Sequence, residues 1–178
     1  MSTREITRTA PGEAGDALRA LIDCFSGHDS AGMVGRLVEA AAAVAGTRYA
    51  GLIEVEPADE RAFRVLERTP PGDPQRVGRW LTGSGVLRTL ATGSDPIRLP
   101  RDPSAYAPGF LAVPIPLSTR RQAYLWVAGR GFDDADEHLL VRLAWAAGTA
   151  LEAACGLETA TRALRSVHAF CPPSRTRS

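Results

Sequence analysis

The most regular pattern in the chain is a pair of apolar runs joined by a short polar stretch. Residues 110–117 and 123–127 are apolar at nearly every position, and residues 118–122 between them are mostly polar. Two such runs around a short link predict a β-hairpin. A strand wetted on one face alternates apolar and polar residues, so these runs predict a hairpin covered on both faces. The rest of the chain should supply the two coverings.

Two amphipathic helices are predicted before the hairpin. Residues 13–25 carry an apolar stripe at helical spacing, and a second helix follows a break and runs to about residue 45. Asp29 or Ser30 can cap the second helix, and Gly46 is typical of a helix end. The apolar stripes consist of Ala17, Leu18, Leu21, Ile22 and Phe25 in the first helix, and of Met33, Leu37, Ala41 and Val44 in the second.

Three further strands and two short helices complete the middle of the chain. Residues 48–56 and 61–68, separated by a turn at 57–60, predict two strands, and the charges of the second favour a sheet edge. A loop rich in Pro and Gly at residues 69–77 precedes short helices at 78–81 and 83–90, the second started by Ser84. Residues 96–100 form a strand between two prolines, which also favours an edge.

A long helix should follow the hairpin. Asp133 can cap it and Phe132 can pack back onto it, and the apolar pattern continues to about residue 167. A heptad-like seam along this helix predicts pairing with a second copy of the chain, although packing within one chain would use the same residues. The seam consists of Leu143, Ala147, Ala150, Ala154, Leu157, Thr161 and Leu164.

The order of these elements predicts an α+β domain with a mostly antiparallel sheet, because the strands are joined by short turns and the helices form a separate layer. We expect a disordered arm at residues 1–11, a helix within residues 12–28 and the domain itself at residues 29–158. A helical extension at residues 159–170 and a disordered tail at residues 171–178 would follow.

Composition narrows the function classes. The 178 residues carry a formal net charge of +1, which argues against a nucleic-acid or membrane-surface partner. Three separated cysteines, Cys24, Cys155 and Cys171, predict neither a zinc site nor a disulfide framework. Neither a secretory signal nor a membrane-spanning helix is expected, so the predicted location is the cytoplasm.

Four segments together resemble the GAF family of sensory and regulatory domains, in particular those of bacterial sensor kinases and stand-alone GAF proteins. They are AAVAGTRYAGLIEV at 42–55, GSGVLRTLATGSDPIRLPRD at 83–102, FLAVPI at 110–115 and FDDADEHLLVRLAWAAGTALEAA at 132–154. The resemblance implies a central antiparallel sheet in the strand order 2-1-5-4-3. It also implies a ligand pocket on the sheet face that the short helices cover.

The resemblance places candidate ligand-binding residues around that pocket. A small-molecule site needs a mostly apolar cavity with a few polar groups, and the sequence offers both. The alternative is that the aromatic side chains fill the volume and leave no ligand site. Which face of the hairpin lines the pocket, that of Phe110 and Ala112 or that of Leu111 and Val113, is open. The candidates are Trp80, Ser84, Arg98, Arg101, Tyr106, Phe110 and Trp126.

Several ligand types of the family are not expected. Residues 100–109 lack the histidine that haem-binding members use, and residues 56–132 lack the cysteine that bilin-binding members use. We therefore expect no haem, bilin, metal or other cofactor, and no catalytic constellation is recognised. The predicted function is a non-enzymatic sensory or regulatory module that binds a small molecule and signals through terminal helices in a homodimer.

Two other functions remain open from the sequence. One is a ligand-free dimeric scaffold that acts on a kinase or a transcription partner, and the more distant one is an enzyme that uses the pocket. Too few residues follow residue 158 for a kinase or a DNA-binding domain. We therefore expect any output to act in trans, unless the sequence is a fragment.

Overall fold

An antiparallel sheet of five strands forms the centre of the computed structural model, which describes residues 30–56, 61–118 and 122–170. The strands are β1 (Tyr49–Glu56), β2 (Arg61–Arg68), β3 (Ile97–Asp102), β4 (Ala107–Ile115) and β5 (Gln122–Ala128). The helices are α1 (Ser30–Val44), α2 (Val77–Gly83), α3 (Val86–Thr92) and α4 (Asp134–Phe170).

The strand order β2-β1-β5-β4-β3 confirms the predicted α+β class and sheet topology. The hairpin of β4 and β5 lies at the centre, with Ala112 paired to Trp126 and Val113 paired to Leu125. The two strands expected at edges, β2 and β3, are the edges. Because β4 and β5 each have a neighbour on both sides, their backbone groups pair within the sheet.

The two faces of the hairpin contribute to two separate cores. Leu111, Val113 and Leu125 pack with α1 and α4 on one face, which we call the helix side. Phe110, Ala112 and Trp126 pack beneath α2 and α3 on the other face, which we call the lid side. The hairpin is therefore covered on both faces as predicted, and Phe110 and Ala112 belong to the face that the short helices cover.

The start of α4 is fixed to the rest of the domain by capping and by an ion pair. Asp133 accepts from the amide of Asp136 at 2.9 Å, and Asp136 accepts from the amide of Asp133 at 3.0 Å, which is a reciprocal capping box. Arg130 donates to both oxygens of Asp136 at 2.8 and 2.5 Å. Burial alone would raise the pKa of Asp136, but the bonds from Arg130 and Asp133 together hold it below its usual value.

The short helices differ slightly from the predicted ones. The second begins at Val86, and the residue before it is Gly85, whose φ of 78° belongs to the left-handed region. Ser84 therefore lies one residue before the N-cap. Its hydroxyl oxygen accepts a long hydrogen bond of 3.4 Å from the amide of Val86. The predicted arm, the helix at 13–25, the turns at 57–60 and 118–122 and the tail lie outside the described residues, either wholly or for the most part.

One described helix is long and apolar enough to cross a membrane by length and composition alone, a test that a core helix of a globular domain also passes. It is the first part of α4, Asp134–Gly156. Leu140, Leu143 and Ala147 of this segment are buried in the helix-side core. Part of its apolar surface therefore packs against the sheet, whereas Leu139 and Trp145 are exposed.

Candidate functional site

The lid-side core is built around three aromatic rings in contact, the first pair tilted at 50° and the second stacked at 28°. The ring of Trp80 lies 5.4 Å from that of Phe110, which lies 5.9 Å from that of Trp126. We call these three side chains the aromatic ladder. Phe110 and Trp126 are fully buried, whereas Trp80 is half-buried. The ladder occupies the sheet face on which the resemblance implies a ligand pocket, so this part of the implied pocket is filled by side chains.

The inner end of the ladder depends on a glycine in β1. A Cβ added to Gly51 would lie 2.6 Å from two ring atoms of Trp126 and 2.5 Å from the carbonyl oxygen of Leu66. The indole therefore occupies the space that a side chain at position 51 would need. The buried Nε1 of Trp126 has no hydrogen-bond partner among the described residues. Trp126 is thus held by packing rather than by a polar contact.

Open space lies at the outer end of the ladder. A groove of about 680 Å³ runs between the start of α2 and the turn that joins β3 to β4. We call it the rim groove, and it is lined by residues 74–76, 79, 80, 101, 103 and 105–108. Its volume is in the range of small-molecule sites. Trp80 belongs both to this groove and to the ladder, and so connects the surface to the core.

The wall of the rim groove before α2 is held by side-chain bonds to backbone amides. Asp73 accepts from the amides of Val77 at 2.9 Å and Gly78 at 3.0 Å. The amide of Gln75 donates to the hydroxyl of Tyr49 at 3.1 Å. Asp73 and Arg76 have positive φ angles of 40° and 54°, which non-glycine residues rarely adopt. These bonds fix a strained segment in one shape.

The opposite wall is held in the same way. Asp102 accepts from the amide and hydroxyl of Ser104 at 2.9 and 2.6 Å and from the amide of Ala105 at 3.3 Å. These bonds lower the pKa of Asp102, with the hydroxyl of Ser104 contributing most. Tyr106 follows at a φ of 53° and is 83% exposed. Of the three positive-φ non-glycine residues in the described segments, Arg76 and Tyr106 line the rim groove, and Asp73 lies just before its first lining residue.

The structure separates the seven candidate ligand-binding residues into three groups. Trp80, Arg101 and Tyr106 line the rim groove. Phe110 and Trp126, expected to line a pocket, are buried in the ladder behind it. Neither of the remaining two reaches the groove. They are Ser84 in the turn between α2 and α3, and Arg98 on the helix side.

Arg98 has a structural role that the sequence pattern did not reveal. Its guanidinium donates to Asp134 at 2.6 Å and lies 3.6 Å from Glu137. The hydrogen bond to Asp134 raises the pKa of Arg98. Because side chains alternate along β3, Arg98 points away from its neighbours Ile97 and Leu99, which pack on the lid-side core. Arg98 therefore joins the edge strand to the start of α4.

Two arginines of the rim groove were missed by sequence reasoning. Arg76 and Arg79 lie just before and within α2, close to Trp80. The sequence predicts a loop at Arg76 and a short helix at Arg79, without indicating which way the side chain of Arg79 points. Arg76 precedes Arg79 by three residues and Trp80 by four, and this spacing is the signal that would have found them, since residues three and four apart share one face of a helix.

A second depression of about 700 Å³ shares Gln75 with the rim groove and includes Arg48, Arg68 and Arg130. Arg130 is committed to Asp136 and to the carbonyl oxygen of Ala45, to which it donates at 2.8 Å. Arg130 is therefore not free to bind a ligand in this depression. Within the described segments, no cluster of three or more His, Cys, Asp or Glu side chains is suited to hold a metal ion.

The predicted dimer seam is partly used inside the protomer. Leu143 and Ala147 are 5% and 1% exposed and belong to the helix-side core, so the prediction that they face a partner is wrong. Ala150 and Ala154 are half-buried. The side chains of Leu157, Thr161 and Leu164 lie outside the described residues, although the helix itself continues to Phe170.

Comparison with known proteins places this geometry in a known fold. No family model matches the chain, and no curated protein matches it significantly. Solved structures do match. One is a methyl-accepting chemotaxis protein fragment, residues 122 to 287, with a TM-score of 0.57 and 17% identity, covering 78% of this chain and 98% of the other.

Two further matches are GAF domains. One, assigned to a sensor histidine kinase of Pseudomonas syringae pv. tomato, has a TM-score of 0.53 and 20% identity, and covers 85% of this chain and 93% of the other. Another, from a phosphoenolpyruvate-protein phosphotransferase of Coxiella burnetii, has a TM-score of 0.54 and 15% identity, and covers 83% and 98%. At such identities the similarity establishes the fold: the chain has a GAF-like fold.

Proposed function

We propose that this chain is a non-enzymatic regulatory module that binds a small molecule in the rim groove and signals through α4 in a homodimer. The observation that carries the proposal is the rim groove itself. It combines preformed walls, two accessible aromatic rings and arginines, and it opens directly onto the aromatic ladder. Sites of this kind bind small molecules because a few polar groups are fixed beside apolar surface.

The aromatic ladder is the proposed route from the groove to the sheet. A ligand that stacks on Trp80 moves the ring that packs on Phe110, and Phe110 in turn contacts Trp126 in the adjacent strand. On the opposite face of the same two strands, Leu111 and Leu125 pack with α4 residues in the helix-side core. A shift of β4 and β5 would therefore change the packing of α4 against the sheet.

A non-catalytic role fits the chemistry of the groove. The two carboxylates that hold its walls, Asp73 and Asp102, are bonded to backbone amides rather than aimed into the groove. A general acid or base needs a carboxylate within reach of a substrate. Among the residues that line the groove there is no carboxylate, histidine or cysteine.

The test is to purify the protein, denature it and identify any released small molecule by mass spectrometry, followed by thermal-shift measurements with aromatic metabolites. We expect a released compound or a rise in melting temperature that Tyr106→Ala reduces. Thr82→Ala, an exposed change on α2 outside the groove, is the matched control. A protein that is empty and unaffected by every compound would contradict ligand binding.

A ligand-free dimeric scaffold is the alternative, and the filled interior favours it. Phe110 and Trp126 occupy the space that a buried ligand would need. This alternative predicts that variants of the groove leave every signalling output unchanged. Variants of the dimer surface would instead abolish the signalling output.

The proposed dimer surface begins with an exposed apolar stripe on α4. Leu139, Ala146 and Ala153 recur every seven residues and are all exposed. They lead along the helix toward Leu157 and Leu164, the apolar residues of the predicted seam. Changing both leucines to Asp should convert a dimer to a monomer in light-scattering measurements, because each would place a charge in an apolar contact. Trp145→Ser, a change off the stripe, should leave the dimer intact.

A further inference from the structure

We infer that the ligand of the rim groove is a flat ring that carries an oxyanion, a phosphate or a carboxylate. This inference rests on the proposed function and names the chemical class of its ligand. It is drawn from the charges of the groove, from their missing partners and from the rings beside them.

Three guanidinium groups line the groove without counterions. Arg76, Arg79 and Arg101 form neither an ion pair nor a side-chain hydrogen bond with any described residue. Arg64, Arg98 and Arg130 pair with acids. Exposed arginines elsewhere in the described segments, such as Arg88, are unpaired too, so what distinguishes the three is that they line one groove together with aromatic rings. The chain has a formal net charge of only +1, so an overall excess of basic residues does not account for the cluster.

The two acids next to the groove in the described segments, Asp73 and Asp102, bond to groups of its walls and form no ion pair with these arginines. The two oxygens of Asp73 each accept one amide at the start of α2. One oxygen of Asp102 accepts three bonds from Ser104 and Ala105. Both carboxylates therefore serve the walls. Like charges held close together repel one another, and an anion bound between them would relieve that repulsion.

The rings and prolines of the groove fit a flat apolar group. Trp80 packs one part of its ring on Phe110 and remains half-buried, and Tyr106 stands 83% exposed on the opposite wall. Pro74, Pro103 and Pro108 add apolar lining. An aromatic ligand gains offset stacking on such rings. Guanidinium groups bind phosphates and carboxylates in a planar, two-pronged geometry. The two features together select a ring with an oxyanion.

Isothermal titration calorimetry with the full chain tests this inference. The probes are naphthyl phosphate, naphthoate, neutral naphthol and inorganic phosphate. We expect both naphthyl anions to bind at least about tenfold more tightly than naphthol or phosphate alone, since charged hydrogen bonds and stacking act together. Higher salt should weaken the binding of the two naphthyl anions and leave the binding of naphthol unchanged. The stronger of the two anions identifies the oxyanion that the groove prefers.

Variants assign the effect to the groove. Arg79→Gln and Arg101→Gln should each weaken the naphthyl anions by about tenfold, as expected for the loss of a charged hydrogen bond. Arg88→Gln, which removes an exposed arginine of α3 outside the groove, should not change binding. Circular dichroism of each variant verifies that the fold is retained.

The failures of the two proposals are distinguishable. Naphthol binding as tightly as the anions, or anion binding that survives both arginine variants, would overturn the inference and leave the groove as a site for neutral ligands. No binding of any probe, together with no compound released on denaturation, would overturn small-molecule binding itself. Tight binding of inorganic phosphate alone would overturn the role of the rings.

Discussion

The two faces of the sheet are covered in different ways. On the helix side, the buried residues are aliphatic or alanine, and two long helices supply the cover. On the lid side, Tyr49, Phe110, Tyr124 and Trp126 are all buried, and the cover consists of two helices of seven residues each and connecting loops. The aromatic residues of the buried core therefore lie on one side of the sheet.

The difference separates a face that holds the domain together from one that can respond to a ligand. Long helices with small residues approach the sheet closely and have few alternative arrangements. Short helices have little stability of their own and depend on tertiary contacts. On the lid side those contacts include single polar bonds, such as the hydroxyl of Tyr124 donating to the carbonyl oxygen of Gly93 at 2.7 Å. Burial raises the pKa of Tyr124 above its ordinary value, at which the hydroxyl is already a proton donor at neutral pH.

The largest expected effect is that of Trp126→Ala, compared with Leu125→Ala on the next position of the same strand. Both side chains are fully buried, on opposite faces. Trp126→Ala should lower the unfolding free energy by about 3–5 kcal/mol and Leu125→Ala by about 2–5 kcal/mol, measured by urea denaturation. Only Trp126→Ala should abolish the near-ultraviolet circular dichroism of the ladder. Equal loss of that signal in Leu125→Ala would show that the two faces are not independent.

A glycine of α4 tests how closely the helix side is packed. A Cβ at Gly148 would lie 2.3 Å from the carbonyl oxygen of Pro116, whereas one at Gly156 would meet nothing within 4 Å. Gly148→Ala should therefore destabilise the domain by about 1–3 kcal/mol, despite the better helix propensity of alanine. Gly156→Ala should stabilise it by up to about 1 kcal/mol. A neutral Gly148→Ala in thermal unfolding would mean that the helix can move away from the sheet.

The ion pair at the start of α4 gives the helix side a pH dependence. The pKa of Asp136 is lower in the folded state than in the unfolded chain, so its contribution is present above the unfolded value of about 3.9 and is lost as pH falls through the folded pKa. Asp136→Asn should cost about 0.5–2 kcal/mol at pH 7 through the cap and the charge.

The pH dependence of the effect of Asp136→Asn serves as its control. The difference in unfolding free energy between Asp136→Asn and the natural chain, measured by urea denaturation, should shrink as pH falls below 4. The natural carboxylate gains a proton at low pH, so both side chains are then uncharged. A difference that stays constant down to pH 2 would contradict a charged role. Asp134→Asn, which changes an 83% exposed side chain on the same turn, should have a smaller effect.

The fold could be predicted from the sequence because periodicity and turn chemistry act locally. The unbroken apolar run of β4 showed that both faces are covered, and the strand order followed from the resemblance. The site could be predicted only in part. Whether Phe110 reaches a groove or fills the core depends on side-chain packing across three strands and a helix, which no local pattern contains. The left-handed backbone at Arg76, a residue with no glycine-like signal, was equally invisible.

Tyr106 gives the smallest expected change in stability and the sharpest test of the lid side. Its φ of 53° is costly for a tyrosine and easy for glycine, and its ring is 83% exposed. Tyr106→Gly should therefore leave the unfolding free energy within about 1 kcal/mol of the natural value, since relief of strain offsets the added flexibility of the unfolded chain. Ala105→Gly, at a neighbouring residue without a positive φ, should destabilise by about 0.5–1 kcal/mol.

Binding separates this variant from a purely structural change. If the strained backbone at Tyr106 is kept for a ligand, Tyr106→Gly should retain stability in urea denaturation and lose at least part of the affinity for a naphthyl anion. Ala105→Gly removes only a methyl group from the groove lining, so it should lose stability and keep most of the affinity. A Tyr106→Gly variant that binds as well as the natural chain would show that the tyrosine is a surface residue without a role in the groove. The strain at position 106 would then have no functional explanation, and the lid side would differ from the helix side in its architecture but not in a binding role.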